Sequence, residues 1–490
     1  MATDASELSK GGLSLGFAKL FFLLAGYAVS IALTRLVPPG TFGDYTVVSQ
    51  IIAIPNMVLI QTLLFAVSRP MSAEFAAGLP SYDGLRRRGF RLAAVLGGLV
   101  AAVFLLGADL LAEYALKDPS LAGALRMVGI IPLIYAAYAV NVGTLNAIRK
   151  FQFQAGLDIF MAMTKTTLIV GAAAMGFGLA EILGGFTFAS LLALGLSILF
   201  VARCRPRVAG GTPGPLPAMA EFTGLLLVFT AGVNLLQALD LVLLKQFTTT
   251  AAQKDAVGFY SSANLVARVP YSMMNAVSLV MFPLIATLQA QSDKEQIQRY
   301  VTATAKISVF LLCFMSSVGA GAAPEVQRLL FPAAYGEAAG ELRLLVWGMS
   351  GYSLTVTAAW IFNSSRRSQL ALLLIAVPLI VVSAAGFMLV PEGFTSGAAT
   401  AVAIGGAAGA VVSLIALARS LGAALSPVFL LKLVAAVALV EAASRAWAPT
   451  SKLLILVKLA LLAGVFLGAA AVTRAVTPGE LRELRKKRGP

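Results

Sequence analysis

The sequence contains no histidine and only two cysteines, Cys204 and Cys313, among its 490 residues. Without histidine there is no Ser-His-Asp triad, no histidine acid–base catalysis and no histidine-ligated metal or haem. Two cysteines are too few for a four-cysteine zinc site or a disulfide framework. Walker and dinucleotide-binding motifs are also missing from the sequence. We therefore expect no metal, no cofactor and no ATPase activity.

Charge is scarce as well, at 12% of residues, whereas 59% are hydrophobic. A soluble domain has about 25% charged residues, so the apolar excess predicts a surface that faces lipid. A helix crosses a bilayer with about 20 apolar residues, and the strand-period alternation of a membrane β-barrel is missing. We predict an all-α polytopic membrane protein with about fourteen spans: 15–36, 42–67, 90–116, 121–147, 155–177, 180–201, 222–247, 257–289, 301–323, 341–362, 369–390, 394–418, 427–447 and 453–476.

The 37 basic residues outnumber the 22 acidic ones and concentrate in alternate connections. The positive-inside rule then places both termini in the cytoplasm of a bacterial inner-membrane protein. We expect no cleavable signal peptide, because the first apolar run is long enough to span. The cations lie at membrane ends rather than among aromatic residues, so we expect lipid contact and no nucleic acid. They are Arg69, Arg86, Arg87, Arg88, Arg91, Arg149, Lys150, Arg203, Arg205, Arg207, Lys294, Arg299, Arg366, Arg367, Arg419 and the C-terminal group.

Part of the sequence is duplicated. A Gly-x-Tyr element with a proline ten residues after the tyrosine occurs in the second and eighth spans, and a Tyr…Asn…basic pair follows the fourth and tenth spans at nearly the same interval. Six helices separate the copies, so the repeat is parallel and predicts two six-helix bundles around a central cavity. The recurring structural or hinge positions are Gly43, Tyr45 and Pro55 in the first copy and Gly258, Tyr260 and Pro270 in the second.

The duplication and the composition together predict the domain organisation. The connection after the sixth span is rich in proline and glycine, which indicates a non-helical strap. We predict an N-terminal bundle over 1–203, a cytoplasmic linker over 204–221, a second bundle over 222–420, two further helices over 421–476 and a basic cytoplasmic tail over 477–490.

Ionisable side chains inside spans cost about 2.5–3.5 kcal/mol each and are therefore functional candidates. Arg268 is the sharpest, because it lies two residues before Pro270, whose ring kinks a helix. We predict that it lines a cationic, phosphate-binding cavity with Lys19, Arg35 and Lys165.

Other ionisable residues have alternative interpretations. Asp240 and Glu441 are either ion-coupling carboxylates or partners of a nearby cation. Long basic side chains near helix ends reach the headgroups instead, and we expect this of Lys306, Arg343, Lys432 and Lys458.

The end of the first span, Leu33-Thr34-Arg35-Leu36-Val37-Pro38-Pro39, and the following Phe42-Gly43-Asp44-Tyr45 resemble the opening of polysaccharide repeat-unit flippases. These belong to the multidrug/oligosaccharidyl-lipid/polysaccharide (MOP) exporter superfamily. The resemblance implies two six-helix bundles with two extra helices. It also implies transport, without chemical reaction, of an undecaprenyl-diphosphate-linked oligosaccharide from the cytoplasmic to the periplasmic leaflet, by alternating access. A polymerase and a chain-length regulator are implied partners. Some members carry arginines in the first and eighth helices, where this chain has Lys19 and Arg268.

Three alternatives remain open at this point. A lipid II flippase shares the diphosphate chemistry, and a multidrug exporter shares the superfamily but favours acidic cavity residues. A polytopic polysaccharide polymerase or ligase would fit the hydropathy, although such enzymes usually need a large periplasmic loop and the connections here are short.

Overall fold

The described part of the chain is helical and contains no strand. The computed structural model describes residues 2–76, 82–204, 217–290, 294–365 and 367–474, without the side chains of 2–13, 73–76, 82, 217–223, 225–226, 275–290 and 294. Residues 205–216 of the predicted linker, Arg366 and the predicted tail 477–490 lie outside it. The helices are α1 Ala2–Leu36, α2 Pro39–Ala76, α3 Tyr82–Leu106, α4 Ala108–Leu110, α5 Ala122–Gly129, α6 Ile131–Ala147, α7 Phe151–Ala174, α8 Leu179–Cys204, α9 Pro217–Gln246, α10 Ala251–Ala290, α11 Lys294–Gly321, α12 Ala323–Leu330, α13 Ala339–Ser364, α14 Ser368–Leu421, α15 Pro427–Arg445 and α16 Lys452–Val472.

Twelve helical segments of the described residues are long and apolar enough to cross a membrane. One of them, the 54-residue α14, covers two predicted spans, because Phe394 interrupts it with φ 45° and ψ −112°. The 40-residue α10 extends over the predicted eighth span. The helical membrane architecture is therefore confirmed. The twelve segments, with α14 counted as two spans and α10 added, agree with about fourteen spans.

Two compact units make up the fold, Met1–Gly258 and Phe259–Pro490. In the first unit, α1 packs on α7, α2 packs on α6 and α9, and α8 packs on α7 and α6. In the second unit, α13 lies along α14, α11 packs on α13 and α15, and α15 packs on α16. The boundaries predicted for the two bundles remain predictions.

The first copy of the repeated element meets the beginning of α10 inside the first unit. A Cβ atom added to Gly43 would lie 2.9 Å from the backbone nitrogen of Gly258, and one added to Gly258 would lie 2.0 Å from the carbonyl oxygen of Pro39. Only glycine permits this approach of two backbones. Tyr45 and Tyr260, two residues after each glycine, are both buried. The duplicated glycines therefore serve helix packing.

Glycine also sets the packing of α13 on α14 in the second unit. A Cβ atom added to Gly351 would lie 2.2 Å from the carbonyl oxygen of Gly406, and one added to Gly409 would lie 2.6 Å from Oγ1 of Thr355. Small residues let transmembrane helices approach closely enough for extensive van der Waals contact.

Candidate functional site

The first unit holds an ion pair at membrane depth that joins α1 to α7. Lys19 Nζ lies 2.8 Å from Asp158 Oδ2; the lysine side chain is 62% exposed and the aspartate side chain 11% exposed. The pair therefore presents an accessible ammonium group whose position is fixed by a nearly buried carboxylate.

Lys165 lies seven residues after Asp158, two turns along α7 and on the same face of that helix. Its Nζ lies 3.7 Å from the ring centroid of Phe186 on α8, and the ring of Tyr135 packs edge-on against Phe186 at 6.2 Å. Among the described side chains, no carboxylate forms an ion pair with Lys165. Two of the predicted cations, Lys19 and Lys165, are thus brought near one face of α7.

The structure places the remaining predicted residues separately. Arg35 is exposed in the last turn of α1, and Asp240 is buried in α9, both in the first unit. In the second unit, Arg268 is half-buried in α10. Glu441 accepts hydrogen bonds from Nε and Nη2 of Arg445, one turn later in α15, at 3.1 and 2.9 Å. For Glu441 the pairing with a nearby cation is therefore observed.

The interpretation of the sequence missed a four-residue charge cluster in the first unit. Lys245, in the last turn of α9, has a side chain only 1% exposed and contacts Asp44 Oδ1 and, at 2.8 Å, Asp118 Oδ2. Lys254, near the start of α10, lies 2.7 Å from the same oxygen of Asp118. We call these four residues the Lys245 network. It fastens α2, α9, α10 and the segment before α5 to one another.

The charges of this network depend on one another. Burial raises the pKa of Asp118, but hydrogen bonds from Lys245, Lys254 and Ser120 and the charge of Lys245 outweigh it, and the pKa lies well below its usual range. The hydrogen bond to Asp118 raises the pKa of Lys254. Asp118 and Lys254 are therefore both charged near neutral pH. A signal in the sequence was Asp44, an acidic residue inside the repeated element whose counterpart in the second copy is Phe259.

A buried ion pair in the second unit corrects one expectation. Lys458 Nζ lies 2.7 Å from Glu325 Oε1, and both side chains are 4% exposed. Lys458 therefore does not reach the headgroups; it fastens α16 to α12. Lys432 does extend toward a helix end, where its Nζ donates to the carbonyl oxygen of Arg474 at 3.4 Å.

Comparisons with known proteins bear on the whole chain. A sequence family described as polysaccharide biosynthesis protein matches residues 32–339, more than half of the chain. No protein of curated description matches.

Solved structures share the fold. The lipid II flippase MurJ in an inward closed conformation matches with a TM-score of 0.72 at 12% identity, over 97% of this chain and 99% of that one. An inward-facing multidrug resistance MATE transporter matches with a TM-score of 0.67 at 16% identity, over 82% and 95%. A MOP superfamily transporter from Pyrococcus furiosus matches with a TM-score of 0.64 at 15% identity, over 85% and 96%. The predicted superfamily fold is confirmed.

Proposed function

Because the chain belongs to the family of polysaccharide biosynthesis proteins, we propose that it is a flippase for an undecaprenyl-diphosphate-linked oligosaccharide. It moves this lipid from the cytoplasmic to the periplasmic leaflet of the bacterial inner membrane by alternating access, with both termini in the cytoplasm. It catalyses no reaction and hands its cargo to a polysaccharide polymerase and a chain-length regulator.

The observation that carries the proposal is the charge of Lys165, which has no carboxylate partner among the described side chains. An ammonium group inside a span is costly, and a cation–π contact with Phe186 offsets only about 2 kcal/mol of that cost. A diphosphate head brings about two negative charges that pair with such a group through charge-assisted hydrogen bonds. Lys19, exposed near the same face of α7, adds N–H donors for the same head, while Asp158 offsets its charge.

The membrane potential supplies a driving force for this cargo. Moving one charge through 100 mV is worth about 2.3 kcal/mol. Two negative charges that leave an inside-negative cell therefore gain about 4–5 kcal/mol, which biases flipping outward without ATP.

Two neighbouring functions remain candidates, each for one reason. MurJ, whose fold the chain shares, is a lipid II flippase, and lipid II presents the same diphosphate chemistry. A multidrug exporter of the MATE type favours carboxylates that attract cationic drugs, and this chain buries Asp158 and Asp240. Asp158 is already neutralised by Lys19, so the cationic surface favours an anionic cargo.

The test combines genetics with reconstitution. Deletion of the gene should leave lipid-linked oligosaccharide in the cytoplasmic leaflet, whereas shorter chains with normal export would indicate a polymerase. In proteoliposomes, Lys165→Gln should slow flipping by roughly tenfold or more, the value of one lost charge-assisted hydrogen bond. Lys150→Gln removes the same charge from the exposed turn between α6 and α7 and is the control. Arg268→Ala should abolish complementation while the protein stays inserted.

Three results would count against the proposal. Equal flipping rates for the parent protein and for Lys165→Gln would show that Lys165 is not part of the binding site. Transport of cationic drugs without flipping would favour the exporter. Flipping of lipid II alone would reassign the substrate.

A further inference from the structure

A second cationic region lies at one end of three packed helices in the first unit. Val67 of α2 and Val140 of α6 belong to one buried apolar core with residues of α3. Helices α2 and α6 run toward this end and α3 starts from it, so three arginines near these helix ends lie at the same end of the three helices. Arg69 lies near the end of α2, Arg86 in the first turns of α3, and Arg149 directly after α6.

Arg86 is held in a fixed position by a chain of buried polar groups. Its Nη2 donates to Asn141 Oδ1 at 3.2 Å, and Asn141 Nδ2 donates to Ser197 Oγ at 2.9 Å. The Ser197 hydroxyl donates in turn to the carbonyl oxygen of Leu194 at 2.7 Å. Asn141 and Ser197 are fully buried. The guanidinium carbon also lies 5.2 Å from the ring centroid of Phe90. This arginine is therefore preorganised, which reduces the entropy cost of binding.

No acidic side chain of the described residues forms an ion pair with Arg86. Among the side chains that the structure describes, its partners are Asn141 and Phe90, and its Nε is enclosed without a hydrogen-bond acceptor. A guanidinium group offers five N–H donors, so one amide leaves most of them unused. Asn141 and Ser197 already join α6 to α8 by their own hydrogen bond. Helix packing alone therefore does not explain why an arginine is present here.

We propose that Arg86, supported by Asn141 and Ser197, is a binding site for the phosphate of an anionic membrane phospholipid. Arg86 lies four residues before the predicted apolar span 90–116, at the end of a span where lipid phosphates are expected. The planar fork of arginine matches two phosphate oxygens. Arg69 and Arg149, at the neighbouring helix ends, add attraction for anionic lipid.

The test is lipid retention by the purified full-length chain, measured by native mass spectrometry with added phosphatidylglycerol, phosphatidylethanolamine or undecaprenyl diphosphate. Diffuse surface charge contributes roughly fivefold per arginine, whereas a charge-assisted hydrogen bond contributes roughly tenfold or more. Arg86→Gln should therefore lower phosphatidylglycerol retention by roughly tenfold or more. Arg87→Gln removes the same charge from the adjacent, exposed position and should lower it by roughly fivefold or less.

Asn141→Ser is the second variant, because it loosens Arg86 without removing its charge. It should weaken phosphatidylglycerol retention less than Arg86→Gln does, and thermal unfolding checks that each variant is folded. Equal losses for Arg86→Gln and Arg87→Gln would overturn the site in favour of diffuse charge. The proposal would also fail if the parent protein retained phosphatidylethanolamine equally, or if Arg86→Gln affected undecaprenyl diphosphate alone.

Discussion

Replacing Lys245 by methionine should destabilise the protein because it leaves buried carboxylates without a counter-charge. The Lys245 side chain is 1% exposed and contacts Asp44 and Asp118, whose side chains are 14% and 11% exposed. Removing one partner of a buried ion pair costs about 3–5 kcal/mol. Asp118 would keep Lys254 in contact at 2.7 Å, whereas Asp44 has no second cation in contact among the described side chains and interacts with Lys254 only at longer range. Most of the cost should therefore arise at Asp44.

The assay is the free energy of unfolding in mixed micelles for Lys245→Met alone and combined with Asp44→Asn or Asp118→Asn. Each Asp→Asn change removes a negative charge and keeps the side-chain shape. We expect Asp44→Asn to recover roughly half of the loss or more, and Asp118→Asn clearly less, because Asp118 keeps its pairing with Lys254. A loss below about 1 kcal/mol for Lys245→Met, as for a surface pair, would refute the reasoning. Equal recovery by Asp44→Asn and Asp118→Asn would refute the assignment of the cost to Asp44.

Three further predictions concern packing, pH and the second unit. Gly258→Ala should lower the unfolding free energy by about 1–3 kcal/mol or more, since its Cβ would collide with backbone. Gly26→Ala, with nothing within 4 Å, should not lower it, because alanine is the better helix former by about 0.5–1 kcal/mol. The pKa of Asp118 is lower in the folded chain, so its stabilisation is full above about pH 4 and disappears only as the pH falls further. Melting curves from pH 8 to 3 should show this; an Asp118-dependent loss between pH 8 and 6 would contradict it. Lys458→Met should destabilise the protein by about 3–5 kcal/mol, with recovery by Glu325→Gln; an unchanged unfolding midpoint for the single variant would exclude the buried pair.

Patterns local in sequence predicted much of the fold. Hydropathy marked the spans, and the break predicted between residues 390 and 394 coincides with the interruption of α14 at Phe394. The duplicated Gly43 and Gly258 lie in close backbone contact. Glycine inside a helix, where no turn requires it, is typical of such close helix packing.

Ion pairs between residues far apart in the chain could not be predicted from local sequence patterns. Asp44, Asp118 and Lys245 come from distant parts of the chain, and only the folded structure brings them to one point. The burial of Lys458 was missed because its partner, Glu325, lies far away in sequence, and a lysine near a helix end usually reaches the headgroups. Lys19 and Lys165 lie in helices long enough to span, and their role in binding stays a prediction. The pairing of Lys19 with Asp158 was not foreseen.

The central claim is most directly tested by following an undecaprenyl-diphosphate-linked oligosaccharide in proteoliposomes with an imposed potential. We predict protein-dependent flipping that carries the lipid toward the positive side. At about 60 mV and two charges the bias should be roughly a hundredfold. Flipping that is the same in protein-free vesicles would contradict the transport claim, and protein-dependent flipping that ignores the potential would contradict the driving force.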